Sequence, residues 1–226
     1  MTDAAENQLK GVIFDLDGVL VTTDVFHYKA WKMLADELGL EFNEEINHQL
    51  RGVSRVESLK RIYRHNNREL PDEETFTAQM TKKNEKYREA IAGMKPEDVL
   101  PGSIELLEGL LAKGIKCAIA SASKNTPLVL KQTKLDQYVQ AVADGNQITN
   151  SKPHPEVFLL AAEKLGVDPA HCIGIEDAES GVEAIRRAEM ISIGIGSQGK
   201  KADKVVDSVA ELSADGMVAF FNEKRG

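Results

Sequence analysis

The sequence predicts a doubly wound, Rossmann-like parallel α/β sheet into which an α-helical cap domain is inserted. From Val99 to the C-terminus, short apolar runs alternate one for one with amphipathic helical stretches, the pattern of βα units built on a parallel sheet. One further apolar run, Gly11-Val12-Ile13-Phe14, stands near the N-terminus, cut off from the others by a stretch with helical spacing only. Chemically active side chains follow directly on the ends of these runs.

Gly11–Phe14 is apolar at consecutive positions, as expected of a central strand covered on both faces. In the inserted stretch, Val25, Trp31, Leu34, Ala35 and Leu38 recur at helical spacing, and Gly39 stops that helix. Further helices are expected around residues 43–50, 54–63 and 72–91. Beyond them, Leu106, Leu107, Leu110 and Leu111 form an apolar stripe closed by Gly114. The strand at 116–122 comes next, followed by a helix at 126–134, a strand at 139–143 and a helix at 156–165. A strand at 172–175, a helix at 181–188, a strand at 191–195 and a final helix near 209–221 complete the series. The expected division is a core domain of residues 1–23 and 95–226 and a cap domain of residues 24–94.

Composition narrows the partners. Of 226 residues, 42% are hydrophobic, ordinary for a chain that buries a core. A formal charge of −8 offers no basic field for nucleic acid, so a small-molecule partner is expected, an anionic one being compatible if cations cluster locally. Cys117 and Cys172 each lie inside an apolar strand-like run and read as buried thiols in a reducing compartment. The N-terminal residues lack a signal-peptide run and no segment is long and apolar enough to span a membrane, which gives the expectation of a cytoplasmic protein.

Ligands of open parallel sheets bind beyond the carboxyl ends of the strands. The first strand ends in Asp15-Leu16-Asp17-Gly18; residues i and i+2 of a strand point the same way, so both carboxylates face one spot. The second ends in Ser121-Ala122-Ser123-Lys124-Asn125, the third is followed by a loop with Lys152, and the fourth ends in Glu176-Asp177. Each tip alone has a bland reading. Asn125 suits a helix N-cap, a lone lysine is usually solvated, and Glu176-Asp177 would complement a helix dipole. Together the four carboxylates would repel one another by several kcal/mol unless a cation sits among them. Oxygen-only donors favour magnesium, and serine, lysine and asparagine beside it suit a phosphoryl group. A carboxylate nucleophile, a metal and a cationic clamp describe phosphoryl transfer to carboxylate.

FDLDG, ASASKN, the lysine of NSKPHP and the GIED pair resemble, in order, the four motifs of the haloacid dehalogenase superfamily. The resemblance implies Asp15 as the phosphorylated nucleophile and Asp17 as general acid/base that also ligates Mg2+ through its carbonyl. Ser121 and Lys152 would hold the transferring phosphoryl group, and Asp177 would bind the metal with Glu176 as ligand or supporter. An acid at Asp17 disfavours the dehalogenases proper and the phosphonate hydrolases.

Thr23…His27, Trp31-Lys32, Arg51-Gly52-Val53-Ser54-Arg55 and Ser123-Lys124-Asn125 are similar to a phosphomutase branch of that superfamily. Its members interconvert β-D-glucose 1-phosphate and glucose 6-phosphate through a bisphosphate, usually as monomers. This closer resemblance implies that Arg55, Ser123, Lys124 and Asn125 grip the second, non-transferring phosphate. Gly52 and Val53 would line the sugar site, with Arg51 where a lysine is more usual, and Thr23 and His27 would sit at the hinge and position Asp17. Trp31 belongs to the similar runs, but its place in the apolar stripe reads as cap packing. Lys83 is a candidate to reach the sugar, although its highly charged helix reads as a solvated face. The core motifs leave a sugar-phosphate phosphatase open as the alternative, and a non-catalytic magnesium or phosphate-responsive binding protein as a rival of another class.

Overall fold

The computed structural model describes residues 8–50, 53–197 and 199–225. It divides into two compact units, one made of the chain up to Thr22 with everything from Lys95 onward, the other of Thr23–Met94.

In the first unit the described strands are β1 (Gly11–Phe14), β2 (Lys116–Ala120), β3 (Ala141–Ala143), β4 (Cys172–Glu176), β5 (Ile191–Ile195) and β6 (Lys204–Val206). They form one sheet of order β3-β2-β1-β4-β5-β6, every pairing parallel. Helices cover it: α5 (Ser103–Ala112), α6 (Thr126–Thr133), α7 (Glu156–Leu165), α8 (Glu179–Arg187) and α9 (Ala214–Arg225). Helix α7 packs on β1, β2 and β3, and α8 on β4 and β5. All residues of β1, β4 and β5 are buried, which is why their sequences are apolar without alternation. Cys117 and Cys172 are buried free thiols, each pushed up to about 12 by burial.

Register brings the strand ends together. Phe14 lies opposite Ile119 of β2 and Ile175 of β4, so Asp15, Ser121 and Glu176 emerge at one edge. That edge is where the chain crosses from β3 over to β4, and such a switch point leaves a crevice between adjacent loops.

Several elements differ from expectation, β3 among them, which begins at Ala141. β6 was not anticipated: it is three residues long, begins with lysine and lies at the sheet edge, too short and polar to show a strand period. The last helix begins at Ala214 because residues 209–211 form a separate 3-10 turn. β2 stops at Ala120, where the chain turns into the polar loop.

The second unit consists of α1 (Asp24–Glu37), α2 (Glu44–His48), α3 (Arg55–His65) and α4 (Glu73–Ile91). Asn43, Ser54 and Asp72 cap α2, α3 and α4 with side-chain oxygens that accept a backbone N–H. The unit has its own core, which includes Trp31, Leu34, Phe42, Leu59 and Ile62. Val25 is exposed and lies outside that core. Among the described residues no helix is long and apolar enough to cross a membrane.

Candidate active site

Asp15 follows β1 directly, and its backbone N–H donates to the Ile175 carbonyl at 2.9 Å, which extends the β1–β4 ladder to Asp15. The chain then folds back on itself: Gly18 N–H donates to Val21 O, and the Leu20 and Val21 N–H groups donate to Leu16 O. This turn needs a glycine at position 18. Its φ is +84°, and a Cβ there would stand 2.2 Å from Asp177 Oδ2. The missing side chain lets the β1 turn pack against the Asp177 carboxylate just beyond the end of β4.

Lys152 Nζ joins two strand ends. It donates to Asp15 Oδ1 at 2.5 Å and Glu176 Oε2 at 2.6 Å, with both the ammonium and the Glu176 carboxylate nearly sealed from solvent. Burial alone would lower the Lys152 pKa, but the two carboxylates outweigh it and hold the group firmly charged. Burial, with Asp15 close by, pushes Glu176 above the ordinary carboxylate range. The loop that carries Lys152 is tied to the start of α7, where the Glu156 carboxylate accepts the N–H groups of Thr149 and Asn150 and the Asn150 amide at 2.7–2.8 Å. These bonds hold Glu156 below its usual range. Reading of the sequence missed Glu156; an acid in the first turn after Pro155 signals a helix start but not a loop clamp.

Asp15, Glu176 and Asp177 each offer a carboxylate oxygen within 4.8 Å of the others. An all-oxygen donor set of this size fits a hard divalent cation. The space behind it is shaped as well: a Cβ on Gly181 would meet Glu176 Cδ at 2.0 Å, so the first turn of α8 must be bare where the carboxylate rests. Asp17 is half-buried two residues along the chain from Asp15.

At the end of β2, Ser121 N–H donates to Ala143 O of β3. Ser123 N–H donates to Ser121 Oγ and Asn125 N–H to Ser123 Oγ, both at 3.2 Å. Ser121 and Asn125 are buried, Ala122 and Ser123 partly so, and Lys124 is exposed. Asn125 occupies the N-cap position of α6, but its side chain makes no capping bond. Ser121, Lys152, Asp15, Glu176 and Asp177 thus emerge from one sheet edge.

In the helical unit, Arg51 and Gly52 lie outside the described residues. Thr23 is buried at the N-cap of α1, Val53 is partly buried, and Arg55 is the first residue of α3, its pKa lowered by burial. Trp31 is 3% exposed within the unit's own core, in line with its place in the apolar stripe. One expectation is corrected. Lys83 is not solvated: it is 2% exposed, its ammonium 4.6 Å over the Trp31 ring and 4.8 Å over Tyr87. A charged helix can still bury one lysine where aromatic faces receive the cation. Lys83 Nζ also lies 2.8 Å from His27 Nδ1, and His27 stacks on Tyr87 with ring centroids 4.0 Å apart. An ammonium can only donate, so Nδ1 accepts and the ring proton sits on Nε2.

Burial, with the charges of Lys83 and Arg55, depresses the His27 pKa well below 6.5. The unfolded chain therefore takes up the proton first. The stabilising contribution is whole above about pH 6.5 and is lost as pH falls toward the folded-state pKa. Amide protection factors in α1 and α4, corrected for the intrinsic pH dependence of exchange, should fall between pH 7.5 and 5.5, and His27→Gln should flatten that dependence. An unchanged slope in the variant would remove His27 as its source.

A family model for haloacid dehalogenase-like hydrolases matches residues 9–189. The chain belongs to this family. The family match spans the whole constellation from Asp15 to Asp177. The chain is 38% identical to a β-phosphoglucomutase of Bacillus subtilis, over 92% of this chain and 93% of that protein. It is 31% identical to a phosphorylated carbohydrates phosphatase of Thermotoga maritima, over 80% and 82% of the two chains. Among solved structures, a β-phosphoglucomutase from Clostridium difficile superposes with a TM-score of 0.91 at 39% identity, covering 96% of this chain and 98% of that one.

For a family member of this geometry, the Gly18 contact has a measurable consequence. Gly18→Ala combines a left-handed backbone, which costs a non-glycine residue roughly 1 kcal/mol, with a collision against Asp177. Displacing a ligand's support typically costs about 10–100-fold in metal affinity or activity, and calorimetric titration with a divalent cation should show the loss. Wild-type affinity would mean Asp177 is not a ligand.

Proposed function

We propose that this chain is a magnesium-dependent β-phosphoglucomutase, which interconverts β-D-glucose 1-phosphate and D-glucose 6-phosphate through an aspartyl-phosphate and glucose 1,6-bisphosphate. The observation that carries this reading is the paired acid of the β1 end, Asp15 and Asp17, in a chain that matches β-phosphoglucomutases over nearly its full length. Asp15, held by Lys152 at the sheet edge, is the nucleophile and Asp17 the acid/base.

In the first half of the cycle the phosphoryl group leaves the Asp15 carboxylate oxygen for a hydroxyl oxygen of the bound sugar monophosphate, and Asp17 takes the hydroxyl proton. After the bisphosphate turns around, an Asp15 oxygen attacks its other phosphorus. Asp17 returns the proton to the departing sugar oxygen, so no proton or phosphate is gained or lost over the cycle. Ser121 and Lys152 hold the transferring group, and Lys152 supplies a fixed positive charge where the phosphoryl oxygens sit. Asp15, the Asp17 carbonyl and Asp177, with Glu176 as ligand or supporter, would hold a magnesium ion, which would supply further charge neutralisation there. The resemblance assigns the non-transferring phosphate to Ser123, Lys124, Asn125 and Arg55, and the sugar to Val53, Gly52 and Arg51. The resemblance assigns the positioning of Asp17 to Thr23 and His27, and Lys83, which lies beside His27, is the candidate to reach the sugar. The helical unit serves to exclude water, which would otherwise hydrolyse the acyl phosphate. The reading implies a cytoplasmic monomer acting on a small-molecule sugar phosphate rather than on nucleic acid or membrane.

The T. maritima phosphatase relative keeps hydrolysis as the second reading, since both reactions share the phosphoenzyme. Incubation with magnesium, β-glucose 1-phosphate and a trace of glucose 1,6-bisphosphate, followed by phosphorus NMR, separates them. Glucose 6-phosphate without matching inorganic phosphate supports the mutase, and phosphate released in step with substrate loss overturns it.

A further inference from the structure

The loop Ser123–Asn125 does not hold its shape through its own bonds alone. Its Ser123 and Lys124 carbonyls also accept bonds from residues immediately beyond the end of β3. Gly145 N–H donates to Ser123 O at 3.2 Å, and the Asn146 side-chain amide donates to Lys124 O at 3.0 Å. Thr126 Oγ1 adds a third donor, to Ser123 O at 2.9 Å. The approach is close enough that a Cβ on Gly145 would lie 2.2 Å from Ala122 O and 3.1 Å from Lys124 N. Asn146 is itself aimed from below: its backbone N–H donates to the buried Asp144 carboxylate at 2.8 Å.

We propose that the β3 tip Asp144-Gly145-Asn146 sets the phosphate-gripping conformation of the Ser123–Asn125 loop, with Asn146 as its positioning residue. The inference rests on the assignment of that loop to the non-transferring phosphate. The physical reason is the polarity of the peptide unit. Carbonyl and following N–H point in opposite directions in a planar trans peptide, so drawing the Ser123 and Lys124 carbonyls toward the tip keeps their lone pairs away from a bound anion. The Ser121 and Ser123 hydroxyls complete the arrangement. Each accepts a loop N–H, which leaves its own O–H proton to donate outward. Without the Asn146 donor, the Lys124 carbonyl is released to rotate toward the phosphate, where oxygen meets oxygen.

Asn146 is exposed and outside the core, so its truncation is compatible with folding. The test compares two phosphoryl donors for Asp15: glucose 1,6-bisphosphate, which carries a second phosphate, and acetyl phosphate, which does not. Asn146→Ala should lower the ratio of the second-order phosphorylation rates (bisphosphate over acetyl phosphate) about tenfold, the size of one lost hydrogen bond to a positioned group. Asn146→Asp keeps the shape but cannot donate, and should lower the ratio at least as far. A ratio equal to wild type in both variants, at unchanged thermal stability, overturns the inference. Equal loss with both donors also overturns it, since that reports general damage to the site. If the wild-type protein shows no preference for the bisphosphate and no mutase turnover, the assignment of the loop itself fails, a result separable from the first two.

Discussion

Asp15→Asn should abolish formation of the phosphoenzyme and lower turnover by at least about 10³-fold, the scale seen when a covalent nucleophile is removed. The substitution is close to isosteric. Its amide oxygen can still accept from Lys152 Nζ, which at present lies 2.5 Å from Asp15 Oδ1, and the Lys152–Glu176 pair remains. The backbone bond from Asp15 N–H to Ile175 O does not depend on the side chain. Folding should therefore survive, and the loss reports chemistry. Intact mass after incubation with a phosphoryl donor reads the outcome directly: wild type gains one phosphoryl group that is released by alkali or hydroxylamine, and the variant gains none. A variant that still acquires a labile phosphate would move the nucleophile elsewhere, with Asp17 the first residue to examine.

The sheet and its chemistry were legible in the sequence for the same reason. A strand buried on both faces must be apolar throughout, as Gly11–Phe14 and Cys172–Glu176 are up to their last residue. Polar residues at the ends of such runs then stand out. Parallel register fixes that the ends share one edge, so Asp15, Ser121 and Glu176 could be grouped without coordinates. What one-dimensional reading loses is contact between loops. Lys152 follows no strand directly, and only the fold reveals that it bridges Asp15 and Glu176. Glu156 and Asn146 act through backbone carbonyls and amides of distant loops, which leave no periodicity. The Asp144-Gly145 pair marks a turn but not what the turn rests on. Lys83 misled because its neighbours in sequence are charged, whereas its neighbours in space are Trp31, Tyr87 and His27. Burial of a single lysine is a property of the face its helix position selects, and one residue cannot shift the character of a nineteen-residue helix.

Lys152→Met should lower turnover by about 10²–10³-fold, the usual cost of deleting one preorganised donor from a site of developing charge, and should also make stability depend on metal. Methionine fills the volume without the charge, beside the ring of Phe158 over which the ammonium now lies at 5.1 Å. Removing one partner of a buried pair typically costs about 3–5 kcal/mol, because the other charge is left uncompensated. Here three carboxylates remain, with oxygens within 4.8 Å of one another. Glu176 can escape by holding its proton, and its folded-state pKa, already raised by burial and by Asp15, must rise further. A group with a raised folded-state pKa contributes fully below its unfolded value, about 4.3 for glutamate, and loses that contribution as pH rises through the folded one. The deficit in Tm of the variant in chelator should therefore widen from pH 5 toward pH 8. A divalent cation replaces the missing positive charge and binds only the folded state, so added magnesium should raise Tm more in the variant than in wild type. Equal magnesium shifts in the two proteins, with a pH-independent deficit, would mean that Lys152 neutralises neither Asp15 nor Glu176, and the electrostatic account of this strand edge would fall with it.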